Sequence, residues 1–167
     1  MTKTVDIRTA TREDIPLLLR FLRLLAEFDG HPESVIAKPE DLERHLFGAV
    51  RCCHAVIAEQ DGTPVAFATY HFTFSTFSAK PGLWLDDLFV LEEVRGAGVG
   101  TAILKRLSSI AVEEGCCRLN WIVNQSNHRG IAFYERIGAE VLQEYRLCCL
   151  DEEAMATFLD VGGKIGV

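Results

Sequence analysis

Hydrophobic residues near the start of the chain have the spacing of a strand followed by a helix. Residues 5–8 alternate between apolar and polar side chains, which predicts a short strand. From Thr11 to about Phe28 apolar residues return every three or four positions, which predicts a helix, and Thr11 with Asp14 forms a near capping box at its start. Apolar residues cover most of the circumference of this helix, so we expect it to be buried on more than one side.

The rest of the pattern predicts antiparallel hairpins first and strand–helix–strand units later. Gln60–Pro64 (QDGTP) joins two apolar strands and is typical of a hairpin turn. This order predicts one mixed sheet with helices on its faces, in a single domain over residues 1–167. The predicted strands are 52–59, 65–74, 83–91, 118–123 and 144–150, and the predicted helices are 40–47, 99–114, 127–137 and 151–159.

Composition and charge narrow the possible functions. The chain has 49% hydrophobic residues and a net charge of −7. An acidic balance disfavours a general nucleic-acid binder, which needs a basic stripe, and mildly favours a cationic substrate. No apolar run approaches the roughly 20 residues that span a bilayer, and the first residues lack the apolar segment of a signal peptide. We therefore expect a cytoplasmic protein without nucleic-acid or membrane partners.

The cysteines and histidines do not have the spacing of a metal site. The six cysteines form three adjacent pairs, at positions 52–53, 116–117 and 148–149, rather than the C-x-x-C spacing of zinc ligands. The five histidines also lack ligand spacing. We expect no metal, and reduced, partly buried thiols.

A glycine-rich turn between a predicted strand and a predicted helix carries the strongest chemical signal. It reads Arg95-Gly-Ala-Gly98-Val-Gly100. Backbone amides at such a helix start, the helix dipole and an arginine favour a phosphate. The spacing is G-x-G-x-G rather than the G-x-G-x-x-G of a Rossmann fingerprint, and the G-K-[ST] of a Walker loop is absent.

Two motifs together resemble the GNAT superfamily of N-acetyltransferases. The first is R-x-x-G-x-G at Arg95–Gly100, which resembles that superfamily's acetyl-CoA loop. The second is N-x-x-x-x-x-F-Y-x-x-x-G-A, from Asn127 through Tyr134 to Gly138 and the next alanine. Residues 85–90, 113–116 and 25–29 are similar to the diamine (spermidine/spermine) and thialysine N-acetyltransferase branch. The resemblance implies an α/β (mixed α+β) fold, with a central mixed, mostly antiparallel sheet and helices on both faces.

The resemblance also implies a set of site residues. Tyr134 is implied as the general acid for the departing thiolate, and Asp86 as the group in contact with the substrate amine and its proton path. Phe28, Asp29, Asp86 and Asp87 are implied to bind the amine substrate, although both Asp29 and Asp86 stand where the branch usually has Glu. The residues expected to bind acetyl-CoA are Leu88, Phe89, Val90, Arg95, Gly96, Ala97, Gly98, Val99, Gly100, Thr101, Asn127 and Arg129.

The chemistry expected at these residues is acetyl transfer to a primary amine by direct attack in a ternary complex. An alkylammonium has a pKa of about 10.4, so a base must take its proton, and a thiolate is readily protonated by a neighbouring phenol. Strand residues alternate faces, so Asp86 and Asp87 are expected to point to opposite sides. The resemblance further implies a homodimer. Two alternatives stay open: another amine (an amino acid, an antibiotic or a protein lysine), and a non-catalytic acyl-CoA-binding module.

Overall fold

The computed structural model describes residues 4–160. The chain divides into two compact units, Met1–Ile122 and Val123–Val167. The prediction of a single domain over the whole chain stays a prediction.

A five-stranded sheet forms the centre of the first unit. Its strands are β1 (Val5–Thr9), β2 (His54–Gln60), β3 (Thr63–Ser75), β4 (Lys80–Val90) and β5 (Leu119–Asn120), and they lie side by side in chain order. The first four are antiparallel, while β5 runs parallel to β4. The predicted mixed, mostly antiparallel sheet is confirmed.

Helix α1 (Ile15–Asp29) covers one face of this sheet. The buried ring of Phe21 stacks on Phe67 of β3, with ring centroids 5.5 Å apart, and contacts Phe89 of β4 at 6.3 Å. Burying three aromatic rings in one contact supplies a large share of the hydrophobic stabilisation on this face. The helix is thereby held above the carboxyl end of β4, where the candidate site lies.

Helix α3 (Val99–Glu113) packs against strands β1 to β5 through the fully buried side chains of Ile103 and Leu107. Val56 and Ala68, which alternate with the residues that meet α1, are also buried. Because successive strand residues point to opposite faces, α1 and α3 cover opposite sides of the sheet. The short helix α2 (Pro39–Leu42) completes the first unit.

An ion pair fixes the start of α1 to β1. The Arg8 guanidinium donates to both carboxylate oxygens of Asp14 at 2.7 and 2.8 Å, and the Thr11 amide donates to Asp14 at 2.7 Å. The hydrogen bonds from Arg8 lower the pKa of Asp14 to about 2. The predicted capping box of Thr11 and Asp14 is therefore present, on a 3-10 turn (Arg12–Asp14) that leads into α1.

The second unit holds helices α4 (His128–Arg136) and α5 (Glu152–Asp160). The strand predicted over residues 144–150 is wrong: this segment has no regular secondary structure, and its apolar side chains Tyr145, Leu147 and Leu150 are exposed. Alternation of apolar residues measures only a propensity, and a strand forms where another strand satisfies its backbone groups. The strand predicted over 118–123 shortens to β5 for the same reason.

The structure adds detail to the predictions for the helix over residues 40–47 and for the cysteines. The helix predicted over 40–47 is α2 followed by a π-helical turn, Glu43–Phe47. All six thiols are free; in the first two cysteine pairs one member is exposed and the other half-buried, whereas Cys148 and Cys149 are both exposed.

Candidate active site

A bulge in β4 places Asp86 and Asp87 at the centre of the candidate site. Thr69 of β3 pairs with Asp87, and the next residue, Tyr70, pairs with Leu85, so Asp86 is an extra residue without a partner on β3. An inserted residue interrupts the alternation of side chains along a strand. The expectation that the two carboxylates point to opposite faces fails at this point.

Both carboxylates instead bind side chains from one face of β3. The Thr69 hydroxyl donates to Asp87 Oδ2 at 2.7 Å, and His71 Nδ1 lies 2.7 Å from Asp86 Oδ2. Thr69 and His71 are two residues apart on a regular strand, so their side chains share a face. It is the face covered by α1, because Phe67 lies on it as well.

Burial sets the electrostatics of Asp87. Removal from water raises its pKa, while the hydrogen bond from Thr69 opposes that shift. The negative charges of Asp86 and Asp29, the last residue of α1, raise the pKa of Asp87 further. Asp86 and Asp29 thus act on Asp87 as like charges, and the three residues form an acidic cluster (the Asp29/86/87 cluster) whose repulsion at Asp87 a cation would relieve.

Replacing Asp87 by asparagine is expected to stabilise the fold. A carboxyl whose pKa is raised in the folded state contributes its stability at low pH and loses it as pH rises through the folded pKa. Asn keeps an acceptor for Thr69 without the buried charge. We expect the Asp87→Asn variant to be more stable than the parent by about 0.5–2 kcal/mol at pH 7, with the gain vanishing near pH 3.

Melting temperatures measured between pH 3 and pH 8 check this prediction. Asp6→Asn is the matched control, since it removes the same charge from an exposed position on β1. A gain of similar size in both variants would mean that relief of net charge, and not burial of Asp87, explains the effect.

The glycine turn after β4 leads into α3 through two left-handed residues. Gly96 and Gly98 have φ of +87° and +86°, and a Cβ built on either meets nothing within 4 Å. Such φ values favour glycine, while the space in front of both is open to a ligand. The first helical hydrogen bond runs from the Ala102 amide to the Gly98 carbonyl, at 2.9 Å.

This geometry gives α3 an anion-binding N-terminus. The amides of Val99, Gly100 and Thr101 precede the first helical hydrogen bond and point along the helix axis, out of its positive end. Val99 anchors the turn through its buried side chain, so only its backbone faces outward. The Ala97 amide, in contrast, donates to the Val94 carbonyl within the turn at 3.2 Å.

Arg95 folds back onto the end of α1. Its Nε donates to the Val90 carbonyl at 2.9 Å, and its guanidinium lies 4.4 Å from the ring centre of Phe28 and 5.6 Å from that of Phe89. A groove of about 340 Å³ opens beside this stack, between α1 and the end of β4. Arg95, which is expected to bind acetyl-CoA, thus contacts Phe28, which is expected to bind the acceptor amine.

Strand β5 pairs with only a short part of one edge of β4. Among residues 4–160, β5 pairs only with Leu83 and Trp84 on this edge. The Leu91 amide donates to β3, whereas the Val90 carbonyl faces Arg95. Because the backbone groups of alternate strand residues point to the same edge, Leu88 and Val90 both direct theirs away from β3. These are groups that an extended amide-containing ligand would pair with.

The remaining predicted residues lie at the start and in the middle of α4, in the second unit. Asn127 is the N-cap, and its Oδ1 accepts from the Gly130 amide at 2.9 Å. A Cβ at Gly130 would lie within 3 Å of the Asn127 side chain, so glycine is required there for the cap. Arg129 is exposed in the first turn. Tyr134 is half-buried, its ring centre lies 5.3 Å from that of Phe133, and burial raises its pKa.

Known proteins resemble this chain over most of its length. The sequence model of the Acetyltransferase (GNAT) family matches residues 18–139. The chain is 32% identical over 148 residues to a thialysine N-epsilon-acetyltransferase of Bos taurus, covering 84% of this chain and 86% of that protein. The chain belongs to the GNAT family of acetyltransferases. It is accordingly an amine N-acetyltransferase.

Two further similarities place this GNAT protein among its relatives. It is 34% identical over 116 residues to an L-ornithine N5-acetyltransferase of Arabidopsis thaliana, covering 70% of this chain and 48% of that protein. An integron cassette protein from the mobile metagenome of V. cholerae has the same fold, with a TM-score of 0.77 at 24% identity over 95% of this chain and 98% of that one.

Sequence reasoning missed the β3 side of the site. Thr69 and His71 were not predicted as site residues, although both bind the predicted carboxylates. The available signal was a set of polar residues at alternate positions, Thr69, His71 and Thr73, in a largely apolar strand that forms a hairpin with the acidic strand.

Metal-ligating clusters and membrane-spanning helices are both absent from the described part of the chain. Within residues 4–160 no cluster of three or more His, Cys, Asp or Glu side chains is arranged to hold a metal ion. In the same part of the chain no helix is long and apolar enough to cross a bilayer.

Proposed function

We propose that this GNAT enzyme transfers the acetyl group of acetyl-CoA to a primary amine of a small cationic acceptor, by direct attack in a ternary complex. The acceptor class is a diamine, a polyamine or an amino acid with an amine on its side chain, such as thialysine. The observation that carries the proposal is the Asp29/86/87 cluster at the bulge of β4, in a chain whose relatives include acetyltransferases named for thialysine and ornithine.

The first unit has backbone groups that would bind the pyrophosphate and the pantetheine arm of acetyl-CoA. Acetyl-CoA supplies an acyl thioester. The turn at Gly96 and Gly98 and the amides at the start of α3 would hold its pyrophosphate, as helix N-termini hold phosphates generally. The outward backbone groups of Leu88 and Val90 would pair with the amides of its pantetheine arm. Asn127 and Arg129 are proposed to add polar contacts from α4.

The acidic cluster supports a cationic acceptor. A diamine or a lysine-like amino acid carries an ammonium group at the reacting end and a second charged group some distance away. Asp86 and Asp87 offer negative charge for the reacting end, and Asp29 offers it next to Phe28. Since like charges raise the pKa of Asp87, binding of a cation there relieves repulsion and favours the acceptor over neutral amines.

Tyr134 is proposed as the acid that protonates the departing thiolate. Burial raises its pKa, so the phenol is protonated at neutral pH and holds a proton to donate. The proton of the acceptor ammonium is removed at the bulge of β4, where Asp86 lies.

The oligomeric state is proposed from the family resemblance of the chain and from the apolar surface of α1. We propose a homodimer, because apolar residues cover most of the circumference of α1 and Phe28 at its end is 61% exposed. Light scattering at micromolar concentration distinguishes a dimer from a monomer.

A panel of amines tests the acceptor class. Free thiol is followed with acetyl-CoA and equal concentrations of thialysine, ornithine, spermidine, an aminoglycoside and a lysine-containing peptide. We expect kcat/KM for the first three to exceed the others by at least about 10-fold, which corresponds to about 1.4 kcal/mol in the transition state. A preference for the aminoglycoside or the peptide would assign another acceptor class. Acetyl-CoA binding with no amine-dependent thiol release would instead support a non-catalytic binding module.

A further inference from the structure

His71 forms a carboxylate–imidazole pair with Asp86 at the bulge of β4. The distance between His71 Nδ1 and Asp86 Oδ2 is 2.7 Å, and the two side chains are 36% and 35% exposed. The His71 ring also lies against Trp84, with ring centres 6.4 Å apart. The pair is thus held on one side by an aromatic ring and remains open to a small molecule on the other.

The contact defines which nitrogen of His71 carries a proton. A carboxylate accepts a hydrogen bond, so the neutral imidazole donates through Nδ1–H and leaves Nε2 as an acceptor. A carboxylate that orients an imidazole in this way produces a directed general base. An imidazole nitrogen is also intrinsically more basic than a carboxylate oxygen. It is therefore a better proton acceptor at neutral pH than a carboxylate.

The other groups on this side of the sheet are less suited to accept a proton. Titratable groups that interact with one another on this side of the sheet are Asp86 and Asp87 on β4, Cys53 just before β2 and Asp29 at the end of α1. Asp87 is held by the Thr69 hydroxyl and is largely shielded from water. Burial raises the pKa of the Cys53 thiol to about 11, so it stays protonated.

We propose that His71 is the base of the reaction: its Nε2 takes a proton from the acceptor ammonium, and Asp86 is the residue that positions it. The inference rests on the proposed function and names the group that starts its chemical step. It assigns His71 contact with the acceptor amine, and it makes Asp86, which was expected on the proton path of the amine, the partner of the base.

The proton and electron balance of the step is complete. His71 Nε2 takes one of the three ammonium protons and becomes imidazolium, which leaves a neutral amine. The amine lone pair forms the N–C bond to the acyl carbon, and the C–S bond breaks with its electron pair on sulfur. The second amine proton neutralises the thiolate by way of Tyr134, and the imidazolium later releases its proton to water. The products are the N-acetylated amine, the free thiol and one proton.

His71→Asn tests the inference, because the Asn side chain retains an N–H donor for Asp86 but cannot accept a proton at neutral pH. We expect kcat/KM at pH 7 to fall by about 10²-fold or more, the usual size for a lost general base. The deficit is expected to shrink as pH approaches about 10, where the free amine forms without help. His71→Gln is the second variant, and thermal melts verify that both fold.

The pH dependence separates a base from a structural residue. A deficit of constant size from pH 7 to pH 10, or near-normal kcat/KM in both variants, would overturn the role of His71 while amine acetylation by the parent enzyme stands. If the parent itself shows no amine-dependent turnover, the proposed function fails and with it the role of His71 as base.

Nitrogen NMR of the histidine ring examines the pair without acetyl-CoA or turnover. We expect a signal, absent from His71→Asn, from a ring that carries a proton on Nδ1 and none on Nε2. In Asp86→Ala, which removes the acceptor, we expect that preference for Nδ1 to be lost. A ring protonated on Nε2 in the parent would contradict the proposed arrangement, whatever the activity.

Discussion

Substitution of Tyr134 by phenylalanine is expected to lower kcat by about 10²-fold or more, while acetyl-CoA binding stays within a factor of about two. The change removes one hydroxyl and almost no volume. Burial raises the pKa of Tyr134, so at neutral pH the parent holds a proton that the variant lacks. Loss of a donor to the departing thiolate slows the chemical step without removing a binding contact.

Tyr145→Phe provides the matched control for this variant. Tyr145 is also in the second unit, but it is 72% exposed and lies outside α4. Steady-state kinetics on the best amine, with thermal melts, compare the two. A Tyr134→Phe enzyme with near-normal kcat would contradict the general-acid role and would leave the departing ammonium proton or water as the acid.

Substitution of Gly98 by valine is expected to weaken acetyl-CoA binding by about 10²-fold or more. The new side chain would fill the space in front of the α3 N-terminus, where no atom lies within 4 Å of a Cβ. Each charge-assisted hydrogen bond lost there is worth about 1.5–3 kcal/mol, and two of them account for the expected change in Kd. Calorimetry with acetyl-CoA measures the effect.

The backbone strain of this variant needs its own control. Gly98 has φ of +86°, so valine is strained there whatever the ligand does. Gly115, at the other end of α3, has φ of +69° and equally open space around its Cβ. Gly115→Val is therefore expected to lose similar stability and to keep its acetyl-CoA affinity. Equal loss of affinity in both variants would show that strain, and not obstruction, is responsible.

The sequence alone predicted the elements that bury a continuous apolar face. Helices α1 and α3 and strands β2 to β4 all have the spacing expected of them, and the structure places them within a few residues of the predicted bounds. The predicted strand at 144–150 had the same kind of alternation. It failed because strand formation needs a pairing partner, and pairing depends on distant residues that a local pattern does not specify.

The candidate site was predicted in part for a similar reason. Glycine spacing and the position of the turn between β4 and α3 follow from short-range sequence, so the turn at Gly96 and Gly98 was identified. The relation of Asp86 to Asp87 depends on the bulge, which is a property of the β3–β4 pairing. The contact of His71 with Asp86 depends on the same register, so it could only be found once the two strands were placed side by side.

Arg95 shows how tertiary contacts change an expectation without removing it. The motif indicated a phosphate contact, whereas its Nε donates to the Val90 carbonyl and its guanidinium covers Phe28. The remaining guanidinium donors are still available to an anion, because Arg has five N–H groups and only one of them is used in that bond. The sequence motif predicts an arginine at this position, while the contact with the Phe28 ring determines where its guanidinium lies.

The most direct test of the central claim is the stoichiometry of acetyl transfer. The purified protein is incubated with acetyl-CoA and the best amine of the panel, and free thiol is counted together with the acetylated amine by mass spectrometry. The proposed function predicts one acetylated amine for each thiol, and negligible thiol release when the amine is left out. Thiol release that is independent of the amine, or no acetylated product with any amine, would contradict it.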